Sequence, residues 1–200
     1  MKVGIIGTGN VGSALATGLT AAGHSTVVGS RDPESNQVED TDVVTQQAAA
    51  EHGDVVVLAL PSSVIADVAA DLRDALADKP VIDAANEYPT PKSETPLAVR
   101  VADAAPDANV VKAFNTIGTN LMTDPVIDGE SATMFLAGDD SEAVDTTASL
   151  ARDLGFEPLI AGGLSAAGHL EHLARFWIHL SQEYGRDIAF RLLQSDIENS

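Results

Sequence analysis

A short apolar run, Val3-Gly4-Ile5-Ile6, breaks directly into Gly7-Thr8-Gly9-Asn10-Val11-Gly12 and then into the small, apolar stretch Val11–Ala22. A strand, a Gly-x-Gly-x-x-Gly turn and a helix in immediate succession leave few architectures open. In that setting the first glycine permits the tight turn, the second lets a pyrophosphate reach the backbone, and the third lets the helix pack against the strand. Free N–H groups and the dipole at the helix N-terminus then favour an anion at that point. The same glycines could also form a tight βα turn with no ligand, so the rest of the chain has to separate the two readings.

The rest of the chain alternates between strand-like and helix-like segments. Strands are expected at Lys2–Ile6, His24–Gly29, Asp54–Leu60, Pro80–Ala84, Asn109–Phe114, Thr133–Ala137 and Phe156–Ile160. Helices are expected over Val11–Ala22, Thr45–His52, Ser62 or Ser63 to Ala77, 97–105, Ser141–Leu154, and from about Ser165 to Leu193. Residues 34–45 and Ala85–Pro96 read as loops. The uninterrupted run Val55–Leu60 fits a parallel strand covered on both faces. This alternation with short links predicts an α/β fold: a doubly wound, mostly parallel sheet of the Rossmann, NAD(P)-binding type. The expected organisation is one such domain over residues 1–200, with residues 165–195 as a C-terminal helical extension packed on it. Along that extension Leu170, Leu173, Phe176, Trp177 and Leu180 recur at helical spacing, which marks core positions and a candidate homodimer contact.

Charge narrows the choice of partners. Thirty Asp and Glu against eleven Lys and Arg leave a formal net charge of −19, spread along the chain rather than gathered in a tail. That is the pattern of a solvated acidic surface of the halophilic kind, and it repels nucleic acid and anionic membranes. No apolar run approaches the roughly 18 residues that span a bilayer, and Met1-Lys2 runs straight into the first strand, so a cytoplasmic protein is expected. The absence of cysteine excludes disulfides and thiolate chemistry.

Against so acidic a background, a basic residue in a cofactor loop is informative. Where an NAD enzyme places an acid after the second strand, this chain has Gly29-Ser30-Arg31. Ser30 can donate to a ribose 2′-phosphate and Arg31 can offer it a charged, planar fork, which points to NADP. Asp32 next door could instead neutralise a surface Arg31. Ser62 and Asn86 follow the third and fourth strands and are candidates for the ribose or nicotinamide side, or else a helix cap and a turn residue. Lys112-Ala113-Phe114-Asn115-Thr116-Ile117-Gly118-Thr119 brings polar groups to the same edge, with Asn115, Ile117 and Thr119 as nicotinamide contacts. Lys112 is either a base or a salt-bridge or surface lysine. His169, Glu171 and His172 could suggest a metal, but the spacing supplies no third ligand, and none is assigned. With no Gly-x-Ser-x-Gly elbow, hydrolase chemistry has no support.

Taken in order, Gly7–Gly12, Val28-Gly29-Ser30-Arg31, Leu60-Pro61, Val111–Thr116 and Gly162-Gly163-Leu164-Ser165 resemble the NADPH:F420 oxidoreductases over nearly the whole chain. The same module resembles the reductase domain of the six-transmembrane metalloreductases, and the opening alone resembles pyrroline-5-carboxylate reductase. The resemblance implies hydride transfer between NADPH and the 8-hydroxy-5-deazaflavin coenzyme F420. It also implies that Thr8, Gly9, Asn10 and Val11 bind the pyrophosphate and Ser30-Arg31 the 2′-phosphate, with Ser62, Asn86 and Thr119 on the nicotinamide half. Two positions depart from the archaeal pattern: Asn115 stands where those enzymes have His, and Asp32 and Glu34 stand where they carry further basic residues. Ring-to-ring hydride transfer needs placement more than an acid–base pair, so no catalytic acid is assigned. A flavin or ferric-chelate reductase and a non-catalytic NADP-binding sensor are the alternatives.

Overall fold

The computed structural model describes residues 1–194. Its strands are β1 (Lys2–Ile6), β2 (Ser25–Ser30), β3 (Asp42–Thr45), β4 (Val55–Leu58), β5 (Pro80–Asp83), β6 (Asn109–Lys112), β7 (Val126–Ile127), β8 (Glu130–Ser131), β9 (Thr133–Gly138) and β10 (Glu157–Gly162). The helices are α1 (Asn10–Ala21), α2 (Gln46–His52), α3 (Ile65–Asp71), α4 (Arg73–Leu76), α5 (Leu97–Ala104), α6 (Ser141–Asp153) and α7 (Ala167–Tyr184).

Eight strands make one sheet in the order β10-β9-β6-β5-β4-β1-β2-β3, and β7 pairs with β8 apart from it. Within the large sheet only β6 and β9 run antiparallel; the other neighbours are parallel. The central strands are buried on both faces, which is why they read as continuous apolar runs. Val3, Ile5, Val55 and Val57 face one core layer with Leu15, Leu19 and Leu150. Ile6, Val56 and Leu58 face the other, with Ile65, Leu76, Leu97 and Val101. The doubly wound sheet expected from the alternation is therefore the fold.

Three local expectations need correction. Residues 34–45 are not all loop, because Asp42–Thr45 forms β3 against β2, with Val43 opposite Val28. It is an edge strand of four residues, too short and too polar at its ends to show an alternating pattern. The helix expected from Ser62 or Ser63 to Ala77 begins only at Ile65, has no side-chain cap, and breaks at Leu72 into α3 and α4. Finally, the C-terminal helix stops at Tyr184, where Gly185 turns the chain with φ +80. Beyond it the chain returns along β9: Thr133 donates its N–H to the Phe190 carbonyl at 2.9 Å, and Leu192 donates to Thr133 Oγ1 at 3.0 Å. Trp177 Nε1 holds the return from the other side through the Ile188 carbonyl at 2.9 Å. Residue 195, the end of the expected extension, lies outside the described residues. No helix among the described residues is long and apolar enough to cross a membrane.

Candidate functional site

The connections leave β1 toward β2 and β3 on one side and reach β4, β5 and β6 on the other. A doubly wound sheet opens a crevice outside the carboxyl ends of the strands where that reversal occurs. Here the crevice is a cavity of about 310 Å³ between the Gly7–Gly9 turn, the Ser30–Asp32 turn and Ala59–Pro61. The glycines of the turn that forms one side of it are required for different reasons. Gly7 has φ +124, and a Cβ there would lie 2.3 Å from the Ala59 carbonyl oxygen. A Cβ on Gly12 would lie 2.0 Å from the Gly7 carbonyl oxygen. Gly9 is unlike both: a Cβ would meet nothing within 4 Å, so only something outside the protein gains from its absence. Gly9 is also the N-cap of α1, with no side chain capping the free N–H groups and no acid in the first turn. That leaves a bare, electropositive helix end facing open space.

At the neighbouring turn Ser30 is nearly buried. Its hydroxyl oxygen accepts from the Asp32 N–H at 3.0 Å and from Asn36 Nδ2 at 3.1 Å. Both lone pairs are used, so the hydroxyl proton is left to donate elsewhere. Arg31 is exposed, and among the described residues no carboxylate, Asp32 included, lies within ion-pair distance of it. Asn36 is the residue that sequence reasoning missed. It accepts from Thr8 Oγ1 at 3.3 Å and donates to Ser30 Oγ and to the Asp32 carbonyl at 2.7 Å, so one side chain ties the glycine turn to the Ser-Arg turn. Only the Asn type, in a polar stretch shortly after Ser30, could have hinted at it.

The other predicted residues lie at the ends of β4, β5 and β6. Ser62 is half-buried beyond Pro61 and caps no helix. Asn86 and Asn115 close on each other: Asn86 Nδ2 donates to the Asn115 carbonyl at 2.7 Å, and Asn115 Nδ2 donates to Asn86 Oδ1 at 3.0 Å. Asn115 Nδ2 also reaches the Leu170 carbonyl at 3.2 Å, whereas its Oδ1 is buried without a partner. Two oxygens around Nδ2 fix which end of the amide points which way. Ile117 is buried, and Thr119 is half-buried at the start of a short 3-10 turn. Phe114 sets up this corner with φ +57, a left-handed conformation that costs a non-glycine residue about 1–2 kcal/mol. Its ring is fully buried edge-on to Phe156, which holds it in place.

Lys112 is a salt-bridge lysine, and it is not at the surface. Fully buried, it donates to Asp83 Oδ2 at 2.9 Å and to the Ala85 carbonyl at 2.5 Å, with Glu171 Oε1 at 3.7 Å. Glu171 accepts from the Leu97 N–H at 2.7 Å, so this knot joins β5, β6, α5 and α7 beneath Asn86. Removing one member of such a knot strands a charge in a dry interior, at a cost of roughly 3–5 kcal/mol. Glu171 therefore faces inward while His169 and His172 are exposed, and the described residues assemble no group of three metal-ligating His, Asp or Glu.

This geometry has relatives. Residues 2–87 match the family model described as NADP oxidoreductase, coenzyme F420-dependent. The chain is also 30% identical to the F420-dependent NADP reductase of Methanothermobacter thermautotrophicus, with 90% of this chain and 89% of that one covered. The chain belongs to the F420-dependent NADP reductase family. Among solved structures, a candidate F420-dependent NADP reductase from Arthrobacter is similar with a TM-score of 0.86 and 27% identity, covering 97% of this chain and all of that one. Metalloreductase STEAP3 of Rattus norvegicus is 34% identical over 85% of this chain, but the chain spans only 36% of that relative's length.

Proposed function

We propose that the crevice binds NADPH and that a hydride passes from it to coenzyme F420, in the reversible direction set by supply. The observation that carries the reading is the pairing of open space at Gly9 with free donors at the neighbouring turn. Gly9 leaves room for a pyrophosphate against the bare end of α1, and Ser30 and Arg31 sit beside it with a free proton and a charge that no carboxylate among the described residues pairs. The N–H groups of the turn from Thr8 to Gly12 hold the pyrophosphate. Ser30 and Arg31 take the 2′-phosphate, with Asn36 holding the two turns at a fixed distance. Ser62, Asn86 and Thr119 line the nicotinamide half. Asn115 acts less by direct contact than by bracing Asn86 and α7, since its amide nitrogen is already committed to both. Ile117 supplies an apolar wall. When bound, NADPH supplies two electrons as a hydride, and the deazaflavin takes its proton from solvent. The chain's contribution is to hold two rings face to face and keep water out.

The test is to mix NADPH with F420 and follow deazaflavin absorbance, with FMN, FAD and ferric chelates in parallel because of the metalloreductase relatives. Loss of deazaflavin absorbance on addition of NADPH supports the reading. Reduction of a flavin or a ferric chelate alone would replace F420 as the acceptor, and binding without turnover would favour a sensor. Arg31→Ala should weaken NADPH about tenfold or more and NADH hardly at all. Equal losses for both would remove the 2′-phosphate role.

A further inference from the structure

Lys112 is among the largest fully buried side chains, and the proposed hydride site makes no use of it. Burying an ammonium between carboxylates is a weak way to stabilise a strand end, because apolar side chains of the same size do as well or better there. What the ammonium does supply is direction. Ala85 lies past the end of β5, and side chains of the knot hold both of its backbone groups. Its N–H donates to Asp83 Oδ1 at 2.8 Å, and its carbonyl accepts from Lys112 Nζ at 2.5 Å. That carbonyl belongs to the peptide unit that opens Asn86. Asp83 Oδ2 accepts from the same ammonium at 2.9 Å, so the turn cannot rotate without breaking an ion pair in a dry interior. The knot also reaches the clasp from the far side. Glu171 Oε1, 3.7 Å from Lys112 Nζ, follows Leu170, whose carbonyl accepts from Asn115 Nδ2 at 3.2 Å. Asn86 is thus tied to the knot through Ala85, Asn115 through Leu170 and Glu171, and the two bond to each other.

We infer that Lys112 is a positioning residue for hydride transfer, holding the Asn86–Asn115 clasp in place against the nicotinamide from beneath. The inference rests on the reading above that places Asn86 on the nicotinamide half. The Lys112 side chain is wholly buried, so direct contact with a reacting ring is closed to it. The phosphate grips lie elsewhere, on the turns after β1 and β2, and that end of the crevice shares no lining residue with the knot. Loss of Lys112 therefore leaves NADPH held by its phosphates while the ring loses a fixed wall. Placement of the reacting atoms is what such a site supplies, and small displacements cost rate steeply. Rate and cofactor affinity separate.

Single-turnover transfer from bound NADPH to F420, beside NADPH titration without acceptor, tests that separation. Lys112→Met should slow the transfer about tenfold or more while the Kd for NADPH stays within about twofold. Asn86→Ala should slow it as well, and the double variant no further than the slower single one, because both substitutions remove the same constraint. Losses that multiply, a parental rate in Lys112→Met, or an NADPH affinity that falls in step with the rate would each overturn the proposal. Glu171→Gln keeps an acceptor for the Leu97 N–H and withdraws only the charge facing Lys112. If Lys112→Met does not fold, Glu171→Gln carries the same comparison, with a slowing of about threefold and the same non-additivity with Asn86→Ala. Without any turnover, NMR of the Asn side-chain amides reads the clasp in the protein alone. The signals of Asn86 and Asn115 should move in Lys112→Met, and that of Asn36, in the Ser30 turn, should stay. Unmoved Asn86 and Asn115 signals overturn the proposal. A parental rate in Asn86→Ala would instead remove Asn86 from the ring, and the amide signals would still show whether Lys112 holds the clasp.

Discussion

At the scale of single residues, the glycine turn separates folding from binding. Gly9 has φ −74 and ψ 179, which alanine adopts without strain, and its missing Cβ faces open space. Gly9→Ala should therefore fold with a stability within about 1 kcal/mol of the parent while losing tenfold or more in NADPH affinity. Gly12→Ala places its Cβ against the Gly7 carbonyl, backbone that cannot move away, and should cost about 3 kcal/mol or more. Thermal melts and NADPH titrations on the two variants check the contrast; a Gly9→Ala protein that binds normally would place the pyrophosphate elsewhere. The tight glycine turn and the position of Ser30-Arg31 at the end of β2 were legible in the sequence because they depend on local backbone geometry. Asn36 was not, because its value comes from Thr8, which lies 28 residues away in the chain. The Asn86–Asn115 clasp was half legible: both residues were singled out by position, but nothing local could show that they bind each other across 29 residues.

At the scale of elements, a buried carboxylate pins the segment between β5 and α5. Glu87 is almost fully buried, accepts from the Lys92 N–H at 3.0 Å, and lies 2.6 Å from Arg100 Nη2 on α5. Burial alone would raise its carboxyl pKa, but the Lys92 N–H, the Arg100 guanidinium and the charge of Lys92 outweigh it and hold the group below its ordinary 4.5. Because the folded pKa is depressed, the carboxylate contributes stability above about pH 4.5, and that contribution is lost as pH falls through the folded value. Glu87→Gln should thus be less stable than the parent near neutrality, and the gap should narrow as the pH drops below about 4.5. Melting curves from pH 7 to 3 measure it, and a constant gap would mean that packing, not charge, holds the segment. The sequence showed this stretch only as a loop rich in Pro, Ser and Thr, since the partner arginine lies on the next helix. For α7 the limit was different. Its apolar spacing continues past Tyr184 through Ile188 and Phe190, and only the chain reversal at Gly185 sends those residues back along β9. Periodicity reports which residues are buried, and it cannot say that a turn has intervened.

At the scale of the whole molecule, the net charge of −19 acts on stability and on cofactor choice in opposite ways. Self-repulsion among thirty acids opposes the compact state, and its range is set by salt: about 10 Å at 0.1 M but only about 3 Å at 1 M. Raising KCl from 0.1 to 2 M should therefore raise Tm, by about 2–4 °C for each kcal/mol of repulsion relieved. The same screening reaches exposed Arg31, whose proposed attraction for a 2′-phosphate would depend on an unburied charge. Long-range repulsion of an anionic cofactor by the acidic surface is screened as well, but it bears on NADPH and NADH almost alike. The preference between them isolates the short-range contact. The expected outcome is a protein that grows more stable with salt while its NADPH-to-NADH affinity ratio falls, measured by parallel titrations at each KCl concentration. A ratio unchanged up to 2 M would mean that the discrimination comes from Ser30 and the turn held by Asn36, where hydrogen bonds shielded from bulk water outlast the screening that weakens Arg31.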